Sequence, residues 1–124
     1  MAKYLLDSDV LIWLLRGRPQ TIQRIESLEG PFCVSVISRA EIWAGAKDSD
    51  QRQIEEMFFS LTVYSVDESV ADLAGQFLRQ YRKRNQSIQL ADAFIAATAV
   101  KHSLTLFTYN VSHFSMSELK LVEL

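Results

Sequence analysis

A chain of 124 residues, 48% hydrophobic and 23% charged, is long enough to bury a core without staples and too evenly composed to be disordered. Its formal net charge of −2 excludes a protein that coats nucleic acid indiscriminately and leaves room only for local basic contacts. A lone cysteine, Cys33, excludes a disulfide framework and a cysteine-rich zinc cluster, and agrees with a reducing compartment.

The first predicted strand is Tyr4–Leu6, followed by a helix over Val10–Arg16 that stops at Gly17. A second helix, Thr21–Leu28, ends near Gly30, and a strand over Phe32–Val36 leads to a helix over Ser38–Ala46. That helix opens on Ser38-Arg39-Ala40-Glu41, the spacing of a capping box. Helix Gln51–Leu61 and strand Thr62–Val66 come next. Asp67 then heads a long amphipathic helix, Glu68–Lys83, whose end is crowded by Arg82, Lys83 and Arg84, where positive charge suits the macrodipole. Helix Leu90–His102 and strands Leu104–Phe107 and Leu121–Val122 complete the chain.

No repeat, low-complexity tract or linker interrupts this series, so residues 1–124 read as one domain. Strands alternating with helices imply right-handed crossovers and an α/β fold, its five strands in a mainly parallel sheet covered on both faces. No run approaches the roughly 20 apolar residues of a membrane span, and the N-terminus lacks a signal-peptide pattern. A cytoplasmic protein without a membrane partner is expected.

In such a sheet the strands' carboxyl ends and the following helix N-termini share one edge, where ligands bind. Asp7 ends the first strand, Asp9 opens the next helix, Glu41 falls in the first turn of the helix after the second strand, and Asp92 lies near the start of "LADAFIAATAV". From Leu90 to Val100 only Asp92 and Thr98 are polar, so Asp92 is no member of a solvated face. Thr108 and Asn110 follow the fourth strand and reach the same rim. Taken singly, Asp7 and Asp9 fit a turn and an N-cap, and Glu41 fits its capping box. Together they form a set of carboxylates that repel one another unless protons or a cation lie between them. Oxygen-only ligands suit Mg²⁺, or Mn²⁺ in its place.

The stretches "LLDSDVLIWLL", "SVISRAEIWAG", "LADAFIAATAV" and "LFTYNVSHF" resemble, in order and spacing, the PIN-domain ribonucleases, specifically the VapC-type toxins of type II toxin–antitoxin pairs. The resemblance spans nearly the whole chain. It implies a PIN-like α/β/α sandwich and a metal-dependent endoribonuclease. By position, Asp7, Glu41 and Asp92 correspond to the family's metal-binding and catalytic acids, with Asp9 in a supporting place and Asn110 where many relatives carry a fourth acid. The expected mechanism is in-line attack by a metal-activated water on an RNA phosphodiester, leaving 5′-phosphate and 3′-hydroxyl ends, with Ser8 and Thr108 in support. The resemblance further implies a homodimer and a cognate VapB-like antitoxin, through which alone DNA would be met.

An acidic site repels RNA, so basic groups must flank it. Candidates are Arg16, Arg18, Arg39, Arg79, Arg82, Lys83 and Arg84, with Tyr81 placed among them to stack on a base. Trp13, Leu14, Trp43, Met57, Phe58 and Phe59 are core candidates of which some could face a partner. Two rival readings stand beside the nuclease. "LLDSDVL" also fits a haloacid-dehalogenase-like phosphatase with Asp7 as nucleophile, although the segment ending Thr108-Tyr109-Asn110 lacks that class's late acidic pair. A non-catalytic RNA- or protein-binding module with the same fold is the other.

Overall fold

Alternation of apolar residues along the strands sets the layers. The computed structural model describes residues 3–123. In it β1 (Tyr4–Leu6), β2 (Phe32–Ser35), β3 (Thr62–Tyr64), β4 (Thr105–Thr108) and β5 (Lys120–Glu123) form one sheet in the order β3-β2-β1-β4-β5. Every pairing is parallel, so the sheet expected to be mainly parallel is parallel throughout. Successive strand side chains point to opposite faces, which sends Leu5, Cys33 and Leu106 into one core cluster and Leu6, Val34 and Phe107 into the other.

The first face is covered by α5 (Glu68–Lys83) and α6 (Leu90–Lys101), through Val70, Ala74 and Phe77 from one and Ala93, Ile95 and Ala96 from the other. The second is covered by α1 (Ser8–Leu15), α3 (Val36–Ala44) and α4 (Gln51–Phe59), which contribute Val10, Leu11, Ile42, Ile54 and Phe58. Five parallel strands between two helical layers make an α/β/α sandwich. A side chain such as Phe77, fully buried, stabilises the first layer by about 2–3 kcal/mol.

Helix starts differ from the sequence reading in instructive ways. Helix α2 (Pro19–Glu26) begins at its proline, whose fixed φ suits a first helical position where no N–H is needed. Ser35, the last residue of β2, caps α3 by accepting the Ile37 N–H at 3.1 Å. The capping box expected at Ser38–Glu41 is therefore not formed: the helix starts two residues earlier, and Ser38 is a fully buried residue within it. Asp67 does cap α5, accepting the Val70 N–H at 2.9 Å. Among the suspected surface hydrophobics, Phe58 is buried, Leu14, Trp43 and Met57 lie against the second core, and Phe59 stands 93% exposed.

Helix α6 is buried almost all round, as its apolar sequence requires. The two polar residues that precede its terminal Lys101 are both accounted for. Thr98 donates to the Phe94 carbonyl one turn back, at 2.8 Å. Asp92 sits in the first turn, at the edge where β1 and β4 end.

Candidate active site

Asp7 leaves β1 and caps α1. Its Oδ1 accepts the Ser8 N–H at 2.8 Å and its Oδ2 accepts the Thr108 hydroxyl at 2.7 Å. Only 4% of it is exposed. Burial, and after it the neighbouring charge of Asp9, push its carboxyl up to about 7, against the pull of those two bonds. Since Asp7 takes the cap, Asp9 lies inside the helix's first turn. There its Oδ2 accepts the Tyr109 N–H at 2.9 Å and the Asn110 side-chain N–H at 3.0 Å, with the Thr108 hydroxyl at 3.3 Å. The other oxygen, Oδ1, is buried and has no protein partner. Burial raises the Asp9 pKa even so.

Thr108, at the end of β4, holds this pair together. Its hydroxyl serves both aspartates and accepts the Asn110 N–H at 2.9 Å. Tyr109 is anchored through its own hydroxyl on Thr21, which keeps its backbone N–H aimed at Asp9. Ser8 performs a similar task on the other side. Its Oγ donates to Glu41 Oε1 at 2.6 Å and lies 2.9 Å from Ser38 Oγ. Glu41, projecting from α3, thereby meets the start of α1.

Asp92 comes from α6, and its Oδ2 lies 3.5 Å from His113 Nδ1. Burial is the main cause of its raised pKa, with the charges of Glu41 and Asp9 adding to it and His113 opposing. Asp7 in turn feels both Asp9 and Asp92. Four carboxylates from three helices and a strand end thus share one electrostatic field. Two residues of this neighbourhood are not site candidates from the sequence: Ser38, expected only as a capping residue, and His113. The pattern "NVSHF", with a histidine three residues after Asn110, was the available signal for the second.

The donor set fits a hard divalent cation. It offers oxygen only, its three aspartates are hard to ionise in the absence of positive charge, and Asp9 Oδ1 is a buried acceptor with nothing to accept. Among the described residues no three His, Cys, Asp or Glu side chains stand close enough to enclose an ion as they are. Glu41 and Asp92 are occupied by Ser8 and His113, and these are the contacts an ion would have to replace.

The basic candidates fall into separate groups. Arg18 lies over the rings of Trp13, at 4.5 Å, and Tyr109, at 5.3 Å. Arg39 covers Phe58 at 4.8 Å. Arg79, Arg82, Lys83 and Arg84 are exposed around the end of α5. Tyr81, expected to present its ring to a base, is 5% exposed and its hydroxyl is bound by the 113–115 segment. Its period along α5 with Val70, Ala74 and Phe77 places it on the core face, so it is a packing residue.

Fold and site together define an α/β/α protein with a carboxylate cluster at the carboxyl edge of a parallel sheet. The family model of the PIN domain matches residues 4–117, and the chain belongs to the PIN-domain family. Among curated proteins it is similar to Ribonuclease VapC10 of Mycobacterium tuberculosis, 40% identical over 116 residues that cover 92% of this chain and 87% of the relative. Among solved structures, a toxin–antitoxin complex from Klebsiella pneumoniae aligns with a TM-score of 0.81 at 28% identity, covering 97% of this chain and 96% of the other. DNA-bound VapBC from Salmonella typhimurium shares the fold with a TM-score of 0.90 at 22% identity, covering 99% and 98%.

Proposed function

We propose that the chain, read as a single PIN domain over 1–124, is an endoribonuclease that acts as the toxin of a toxin–antitoxin pair and depends on Mg²⁺ or Mn²⁺. The observation that carries this reading is the convergence of Asp7, Asp9, Glu41 and Asp92, with Asp9 Oδ1 buried and unpartnered. The relatives named ribonucleases, and the VapBC complexes sharing the fold, support the substrate class and a VapB-like antitoxin as partner. Antitoxin, homodimer and a cytoplasmic location belong to the same proposal. No helix among the described residues is long and apolar enough to cross a membrane.

Asp7, Glu41 and Asp92 would hold the ion, with Asp9 beside them and Asn110 offering an amide oxygen. A bound divalent ion supplies an activated water and charge compensation at the phosphate. The chain's own residues do the rest. Thr108 fixes Asp7 and Asp9 relative to each other, Ser8 orients Glu41, and Asn110 and Tyr109 hold Asp9 from the β4 side. Arg18, with its guanidinium held by two rings, is a candidate to meet an RNA phosphate, as are Arg39, Arg79, Arg82, Lys83 and Arg84.

The phosphatase reading is disfavoured by the end of β4, where Thr108-Tyr109-Asn110 stands in place of that class's late acidic pair. The test is to incubate the purified, antitoxin-free chain with total cellular RNA in Mg²⁺, in Mn²⁺ and in EDTA, and to map new 5′ ends. Discrete cuts in either metal and none in EDTA are expected. RNA binding without cleavage would favour the binding module, and phosphorylation of Asp7 by a phosphate donor would favour the phosphatase.

A further inference from the structure

A groove of about 520 Å³ adjoins the acidic site, and apart from Asp92 and His113 its lining takes no part in the carboxylate chemistry above. It runs between the α5–α6 connection and the 112–115 segment, and Asp92 and His113 belong to both groove and site. Gln86, Ser87, Gln89 and Ser112 line it. Its volume lies within the roughly 300–1,000 Å³ of small-molecule sites.

The lining selects the ligand. No lysine or arginine lines this groove, so it offers a phosphodiester no cation of its own. Amides and hydroxyls, each a paired donor and acceptor, suit the edge of a nucleobase, as when glutamine bonds adenine at two points. The cations lie just outside. Lys83 and Arg84 line a neighbouring hollow that meets the groove at Ser115, where they can take a phosphate further along the strand.

The groove is also held in shape. The Tyr81 hydroxyl accepts the Ser115 N–H at 2.7 Å and donates to the His113 carbonyl at 3.1 Å, tying one wall to α5. On the other wall Asn85 turns the chain with φ of 55° and Gln86 N–H donates to the Tyr81 carbonyl at 2.9 Å. Gln89 precedes α6 without spending its side chain on a cap. Both glutamines are exposed, and their backbones are fixed while their amides face no cap duty.

We propose that this groove is a nucleobase subsite: it takes one unpaired base of the RNA strand beside the phosphate held at the acidic site, and Gln86 and Gln89 read that base's edge. The proposal rests on the ribonuclease reading of the acidic site. Single-stranded RNA presents such splayed bases for recognition on their hydrogen-bonding edges.

Two measurements on the full chain test it, with Gln86→Ala/Gln89→Ala as the variant. In the first, the four nucleoside 5′-monophosphates are titrated without metal into ¹⁵N-labelled protein, with ribose 5-phosphate as the base-free control. The Gln86 and Gln89 side-chain amides should shift with one base more than the others and stay unmoved by the control. In the second, short single-stranded RNAs varied at one position at a time are cleaved by both proteins. The variant should lose a base preference of roughly tenfold at one position next to the cut. Equal shifts with the control, or an unchanged preference in the variant, would overturn the proposal. Base-dependent shifts from a protein that cuts no RNA would sink the ribonuclease reading and leave the groove a nucleotide site. An intact preference with lost binding of a co-purified protein partner would hand the groove to a protein segment, which also overturns it.

Discussion

Replacing Asp7 with asparagine is expected to lower metal-dependent cleavage by about 10²–10³-fold or more, on the scale of losing one preorganised charge-stabilising group, while making the metal-free protein more stable at pH 8. The second half follows from linkage. Asp7 ionises near 3.8 when unfolded, but burial and Asp9 push it up to about 7 in the fold. Between those values the folded state binds the extra proton, so stability is fully present below the unfolded pKa and is lost as pH rises through the folded one. Ionising Asp7 in place therefore costs on the order of 4 kcal/mol at pH 8. Asparagine removes that cost but offers one acceptor where the carboxylate offers two. Either the Ser8 or the Thr108 bond is then given up, at about 1–2 kcal/mol, and a net gain of about 2 kcal/mol remains. Melting curves in EDTA from pH 4 to 9 measure it: the variant's advantage should grow up to about pH 7 and level off above. Parallel curves for the two proteins would mean that Asp7 is not a strained acid.

The sheet was legible because its signal is local. The branched and aromatic runs Phe32–Val36 and Leu104–Phe107 match β2 and β4 to within a residue at each end, and the gathering of the acids at one edge follows from topology alone. Element starts were less legible. Val36 closes the strand expected over Phe32–Val36 but opens α3 in the fold, since Ser35 both finishes β2 and caps the helix. The same shift dissolved the capping box and left Ser38 buried beside Ser8. The individual bonds of the site were out of reach for a different reason. Ser8 and Thr108 are legible as supporting hydroxyls, but nothing in residue spacing says which acid each one serves, Glu41 for Ser8 and Asp7, 101 positions away, for Thr108. Tyr81 shows the limit of reading composition: arginines surround it in sequence, but helical period turns its ring to the core.

Thr108→Val should be the complementary case, losing both stability and metal affinity while every carboxylate stays in place. Valine matches threonine in shape, and the site is fully buried, so no cavity opens. What disappears is the hydroxyl that donates to Asp7 at 2.7 Å, touches Asp9 at 3.3 Å and accepts the Asn110 N–H at 2.9 Å. Leaving those buried groups short of partners is expected to cost about 2–3 kcal/mol at pH 8. The Thr108 bond is one of the forces holding the Asp7 carboxyl down, so its removal pushes that carboxyl higher, and the metal must displace a more tightly held proton. Together with the lost orientation of Asp7 and Asp9, this predicts Mn²⁺ binding weaker by about 10–100-fold, measured by titration calorimetry beside denaturation in EDTA. Thr108→Ser, which keeps the hydroxyl, should restore most of the affinity. Because the bond favours the ionised acid, the stability loss should shrink at pH 5, where Asp7 is protonated in the fold. A loss that is equal at both pH values, with metal affinity untouched, would make Thr108 a packing residue that happens to lie near the acids, and the burden of ordering them would fall on Asn110 and Tyr109.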